Sequence, residues 1–171
     1  MKNSILSELF NQMADIMEIL GEDRFRINSY RKVARVISDM SVDIETLLST
    51  GQLAKTPGIG KSSLAKIQEF VETGTITAHQ QLLTKIPAKL LELLAIPGMG
   101  PKGVKIVFEK LNVKSIGELK RAIGNGSVAQ LPGFGEKKLL QSRKALNFSK
   151  NQLAEYALTR PSRQRNWSAN F

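Results

Sequence analysis

The 171-residue chain has no cysteine and one histidine, His79. The first absence removes disulfide frameworks, thiolate metal sites and cysteine nucleophiles together. A lone imidazole that follows no nucleophile motif cannot build a transition-metal set or a recognisable Ser-His-Asp relay, so His79 reads as a packing or surface residue. No apolar run reaches membrane-spanning length. The opening stretch MKNSILSELF meets an acidic residue soon after its apolar ones and carries no A-x-A cleavage signal. A cytoplasmic location with no membrane partner is therefore expected. Alternating strand patterns of useful length are also missing, which weighs against any fold that binds nucleotides at strand ends.

What is there is positive charge and a packable core. Lys and Arg total 25 against 15 Asp and Glu, a net charge of +10, and 42% of the residues are hydrophobic. Residues 1–72 carry 9 basic and 10 acidic side chains, a balance of −1, whereas residues 73–171 carry 16 and 5, a balance of +11. Such a field attracts nucleic acid, an acidic membrane surface or an acidic protein alike, so the choice among them needs a motif.

Apolar residues at Leu6, Leu9, Phe10, Met13, Met17 and Leu20 have three-and-four spacing, which predicts an amphipathic helix over residues 4–20 ending at Gly21. A second helix is expected from Ser29 to Met40. A third is expected from Ser41, with Asp43 in its first turn, to just before Gly51. Beyond Gly51 the pattern is of short helices broken by Pro and Gly, with Ser115 and Glu118 forming a capping box. The segment 149–171, with Arg160, Arg163, Arg165 and Trp167, reads as a mobile basic tail, apart from a turn or two around residues 153–158.

Three breaks share one motif: Thr56-Pro57-Gly58-Ile59-Gly60, Ile96-Pro97-Gly98-Met99-Gly100 and Leu131-Pro132-Gly133-Phe134-Gly135. Pro restricts the entry torsion, and the two glycines permit positive torsions and a close backbone approach. The apolar residue between them, Ile59, Met99 or Phe134, is expected to anchor the turn inward. The second glycine then opens a helix whose first amides lack partners and whose dipole favours an anion such as phosphate. Lys61, Lys102, Lys105, Lys137 and Lys138 follow with matching charge, while Glu136 opposes it in the third copy. A single P-G-x-G is as readily a tight turn between packed helices; three copies in helical context point to phosphate binding. A Walker A loop is excluded because Lys55 stands where its first glycine would be.

These residues resemble the amino-terminal region of X-family DNA polymerases, especially bacterial ones. The resemblance runs from about Ile5 to Leu146, through Phe25-Arg26-Ile27-Asn28-Ser29-Tyr30-Arg31-Lys32-Val33-Ala34 and the three glycine motifs. It implies an all-α fold of tandem helix-hairpin-helix units: a DNA polymerase beta-like amino-terminal domain, then a second hairpin-containing unit. The expected division is residues 1–75 with the first hairpin, 76–148 with the second and third, and the tail at 149–171. By resemblance, Arg26, Tyr30, Gly58, Gly60 and Ser62 face one phosphate, and Gly98, Gly100, Lys102 and Gly103 another. Gly133 and Gly135 belong to the third copy. The second hairpin of the family binds sodium or potassium through backbone carbonyls, here those of Leu94, Ile96 and Met99; no other cofactor is expected.

No Asp-x-Asp pair holds two magnesium ions, the nearest match being Asp43 with Glu45, so this chain is not expected to polymerise by itself. It reads as a polymerase fragment or as a free-standing protein that kept the DNA grip. The expected partner is gapped, nicked or single-strand-flanked DNA in repair, contacted without base specificity, with a separate repair enzyme as a further candidate and a nucleoid-associated location. An enzymatic alternative comes from the resemblance: Lys66 matches the lysine that forms a Schiff base in 5′-deoxyribose-phosphate lyase members. Here Ala65 replaces the neighbouring Glu, and Ser62 replaces a phosphate-binding Lys of the animal enzymes. Arg26, Arg31 and Lys32 are the cations that would have to lower the Lys66 pKa. On the bland side, Lys66 is an exposed lysine paired with Glu69. A protein-docking helical adaptor is the third reading.

Overall fold

A computed structural model describes residues 2–146, and every regular element among them is helical. The tail at 149–171, including the expected turn and Trp167, lies outside the described residues. The chain divides into two units, Met1–Lys85 and a second beginning at Ile86. None of the described helices is long and apolar enough to cross a membrane.

In the first unit, α1 (Lys2–Leu20) and α2 (Arg24–Ser38) form an antiparallel pair across a three-residue turn at Gly21, whose φ is +72°. Leu6, Phe10, Met13, Ile16 and Met17 of α1 are fully buried, as are Val33, Ala34 and Ile37 of α2. Burial of each large side chain contributes about 1.5–3 kcal/mol. The α1 face carries polar groups too, and they are matched. Ser7 Oγ donates to the Ala34 carbonyl at 2.7 Å, and Asn3 both donates to the Val42 carbonyl and accepts from the Ile44 amide, each at 2.9 Å.

Helix α2 starts at Arg24 rather than Ser29, because the Asp23 carboxylate accepts from the Arg26 amide at 3.1 Å and caps it. Its first turn escaped the periodicity reading because Phe25, 85% exposed, lies off the apolar stripe. Helix α3 (Ile44–Ser49) starts later than Ser41, since Asp43 is its cap, accepting from the Glu45 amide at 2.9 Å, and not a first-turn residue. Glu45 pairs with Lys2. The Asp43 and Glu45 carboxylates are thus both engaged in structure.

Helices α4 (Lys61–Thr73) and α5 (Thr77–Leu83) complete the unit. Glu69 forms no close ion pair with Lys66, whose charge adds only a minor lowering to its pKa. Its carboxylate accepts from the Thr77 hydroxyl and, at 2.9 Å, the Thr77 amide, and these two bonds hold its pKa below the ordinary value. It thereby ties α5 to α4. His79 on α5 is buried and lies 2.9 Å from Gln12 Oε1 of α1, with its pKa lowered by that burial. This bridge binds α5 to α1 within the first unit, which runs to Lys85.

The second unit contains α6 (Pro101–Leu111), α7 (Ile116–Gly124) and α8 (Glu136–Leu146) around a core that includes Leu90, Leu93, Val104, Val107 and Leu119. Helix α6 stops at Asn112, the one described non-glycine residue with positive φ, +53°. Ser115 caps α7 by accepting from the Glu118 amide at 3.3 Å; Glu118 reaches back to the Lys114 amide, at 2.6 Å, rather than to Ser115.

Candidate nucleic-acid interface

All three glycine motifs adopt one conformation. Each follows a short 3₁₀ segment, Leu53–Lys55, Ala88–Ala95 or Val128–Gln130, and each opens an α-helix: α4, α6 or α8. The expected short apolar helices before the motifs are thus 3₁₀ segments: single turns before the first and third motifs, where the tighter pitch suits so brief a run, and an eight-residue stretch before the second. In each motif the amide of the middle apolar residue closes the turn, Ile59 to Thr56 O at 3.1 Å, Met99 to Ile96 O at 3.0 Å and Phe134 to Leu131 O at 3.4 Å. Ile59, Met99 and Phe134 are all buried, as expected of anchors.

The two glycines of a motif have different reasons to be there. The first has positive φ in every copy: +96° at Gly58, +84° at Gly98 and +83° at Gly133, a region that other residues avoid. The second does not. Gly60 (φ −86°, ψ 170°) and Gly100 (φ −92°, ψ 178°) have ordinary extended backbone, and Gly135 is likewise outside the positive region. A Cβ on Gly60, Gly100 or Gly135 would meet nothing within 4 Å. The fold therefore tolerates a side chain at these positions, and Ser, Asp or Asn would cap the helix better than Gly. No side chain caps α4 or α6. What glycine leaves there is open backbone in front of uncapped amides, at the positive end of the helix dipole.

Around the first hairpin, Lys61 and Ser62 are exposed and Lys66 is half-buried. Lys66 Nζ donates to Ser62 Oγ at 2.8 Å and lies 5.7 Å from the centroid of the Tyr30 ring. Tyr30 packs on Phe10, ring centroids 5.7 Å apart. Lys66, Ser62 and Tyr30 thus form one cluster. Arg26, also exposed, is held by Glu22 at 2.8 Å. Arg31 turns to α1, pairing with Asp15 at 2.8 Å and Glu18 at 2.6 Å. Burial alone would lower the Arg31 pKa, but the two carboxylates outweigh it and the net shift is upward.

Around the second hairpin, Lys102 is exposed and Lys105 is half-buried, 3.9 Å from Glu109. Gly103 is buried and faces Phe134, Lys138 and Met99. The side chains of Leu94, Ile96 and Met99 are buried, and the Ile96 carbonyl already accepts from the Met99 amide. In the third, Gly133, Gly135, Glu136 and Lys137 are exposed, while Lys138 Nζ sits 4.9 Å from the Phe134 ring centroid.

Two residues take places that the sequence did not assign them. Lys32, expected only as a cation near Lys66, lies against the first hairpin, its Cε 3.2 Å from where a Gly58 Cβ would be. Only the tertiary fold brings it there. Phe25 is an aromatic ring almost wholly in solvent between Arg24 and Arg26, and its place off the apolar stripe of α2 was the available signal.

Comparison with known proteins matches two separate segments of the chain. Residues 1–76 match a family model described as a helix-hairpin-helix domain, and residues 90–141 match a SAM-like helix-hairpin-helix tandem. The chain is 30% identical over 137 residues to DNA polymerase/3'-5' exonuclease PolX of Bacillus subtilis (strain 168), covering 78% of this chain and 24% of that protein. It is 35% identical over 109 residues to DNA polymerase lambda of Arabidopsis thaliana, covering 63% of this chain and 20% of the relative. The chain therefore spans a quarter or less of the length of these curated relatives. It carries tandem helix-hairpin-helix domains and is homologous to the amino-terminal part of X-family DNA polymerases.

Proposed function

We propose that the chain grips the sugar-phosphate backbone of gapped, nicked or single-strand-flanked DNA, without base specificity, at the amino ends of its hairpin helices. DNA binding of repair type follows from the helix-hairpin-helix domains and the polymerase homology. The observation that carries the finer reading is the second glycine of each motif, which the fold does not require and which keeps the uncapped amides open to a phosphate. The exposed Phe25 ring between two arginines supports a preference for DNA with unpaired bases, because a base can stack on it.

The second hairpin is a candidate for a monovalent cation at the Leu94, Ile96 and Met99 carbonyls. A donor set of neutral carbonyls suits sodium or potassium and not a transition metal. A bound ion would add positive charge beside the turn, which would favour a phosphate there. Cellular placement follows the substrate: cytoplasmic, on the nucleoid.

The alternative, a 5′-deoxyribose-phosphate lyase, rests on Lys66. Its amine is engaged by the Ser62 hydroxyl; of the cations expected beside it, Arg26 is paired with Glu22 and Arg31 with Asp15 and Glu18, while Lys32 has no such partner among the described residues. In the backbone-grip reading Lys66 is a phosphate contact.

The test is equilibrium binding to gapped, nicked and intact duplexes of unrelated sequence over a salt series. The expected result is a steep loss of affinity with salt, a slope of about −0.9 per phosphate contacted, little dependence on sequence, and tightest binding to the gapped form. Salt-insensitive binding contradicts the reading.

A further inference from the structure

The third hairpin is clasped to the second. Ser142 Oγ of α8 donates to the Pro97 carbonyl at 3.2 Å. A Cβ on Gly98 would lie 3.2 Å from the Lys138 carbonyl and 3.4 Å from Gln141 Oε1, and one on Gly103 would lie 3.5 Å from Phe134 Cζ and 3.7 Å from Lys138 Nζ. Residues 138, 141 and 142 are three and four apart, one face of α8, so a single helix face covers both the second turn and the first turn of α6. The first unit repeats the arrangement with different elements: a Cβ on Gly58 would lie 3.0 Å from Val36 Cγ2 and 3.2 Å from Lys32 Cε, residues four apart on α2.

The first glycine of each of these two hairpins is therefore roofed by a helix from elsewhere in its own unit, and each roof carries one lysine. Among the described residues neither Lys32 nor Lys138 has a carboxylate within 4.0 Å, whereas Arg26 and Arg31 are both paired. Among the described residues the third hairpin has no such roof. A Cβ on Gly133 would meet nothing within 4 Å, and Glu136 opens its helix. By sequence order Lys138 belongs to the third motif; by geometry its ammonium stands at the first turn of α6, held over the Phe134 ring.

We infer that Lys138 serves the phosphate of the second hairpin, not the third, and that Lys32 serves the phosphate of the first in the same way. The third hairpin then acts as the buttress that delivers Lys138. This rests on the backbone-grip reading above.

The experiment uses the full chain, a gapped duplex and a potassium chloride series, with double-mutant cycles on Lys138. Lys138→Met keeps the aliphatic stem that covers Gly98. It is expected to weaken binding about tenfold at low salt and to reduce the salt slope by about one, and Lys138→Arg is expected to restore both. In a Gly100→Val background the Lys138→Met effect should shrink to less than about twofold, whereas in a Gly135→Val background it should persist in full. Lys32→Met should show the same coupling to Gly60→Val. Coupling of Lys138 to Gly135 in place of Gly100, or a Lys138→Met slope equal to wild type, overturns the inference while leaving the grip intact. A wild-type affinity independent of salt overturns the grip itself. Circular dichroism melts of each variant separate loss of contact from loss of fold.

Discussion

The Lys66 ammonium and the Ser62 hydroxyl, one turn apart on α4, lie 2.8 Å from each other in the helix that the first hairpin opens, with the Tyr30 ring centroid 5.7 Å from the lysine. A Schiff-base nucleophile has to reach the sugar carbon, and here the amine is held on its own helix by the Ser62 hydroxyl and carbonyl. Borohydride trapping on gapped DNA with a 5′ abasic sugar phosphate is therefore expected to yield no covalent complex. Lys66→Ala is expected to lower affinity about threefold to tenfold through one lost phosphate contact. A trapped adduct that disappears in Lys66→Ala contradicts this assignment and makes the chain a lyase.

Glu8 gives a prediction about stability. Its side chain is buried on α1, and burial, with a smaller contribution from Asp15, pushes its pKa up to about 7. In the unfolded chain a glutamate titrates near ~4.3, so the folded state holds the proton more tightly. The resulting stabilisation is complete below the unfolded pKa and is lost as pH rises through about 7. Glu8→Gln, which stays neutral, is expected to exceed wild type in unfolding free energy by on the order of 2–3 kcal/mol near pH ~8 and to match it near pH ~4. Urea titrations at the two pH values measure this. A variant no more stable than wild type at the higher pH contradicts it.

Phe25 is expected to separate gapped from intact DNA. Stacking of an unpaired base on an aromatic ring contributes about 1–3 kcal/mol. Phe25→Ala is expected to weaken binding to gapped DNA about tenfold and binding to intact duplex by less than about threefold. Because the ring is 85% exposed, its removal leaves the melting temperature unchanged. Equal losses on both DNAs would remove the preference for unpaired bases.

The hairpins were legible in the sequence because their chemistry is local: a proline, a glycine at positive φ and an inward anchor specify the turn without help from the rest of the chain. The all-helical class and the core stripe of α1 were legible for the same reason, through spacing. What sequence could not show depends on segments far apart. Gln12 meets His79, Glu69 accepts from Thr77, and Lys138 lies against a turn about forty residues before it. Helix starts were misplaced where one side chain masked the pattern, as Phe25 did in α2, or where a cap was read as a first-turn residue, as with Asp43. The two glycines of each motif looked equivalent in sequence, and only the torsions distinguish the one the fold needs from the one it does not.

That distinction gives the most direct test of the account. Gly60→Val with Gly100→Val places side chains where the backbone is extended and nothing lies within 4 Å, so the fold should survive with a capping cost of about 1 kcal/mol per site. The side chains would stand where the phosphates approach. Binding to gapped DNA, measured beside a thermal melt, is predicted to fall at least about a hundredfold while cooperative unfolding is retained. A folded double variant that binds as wild type does would contradict the backbone grip and leave these helices as a docking surface for protein.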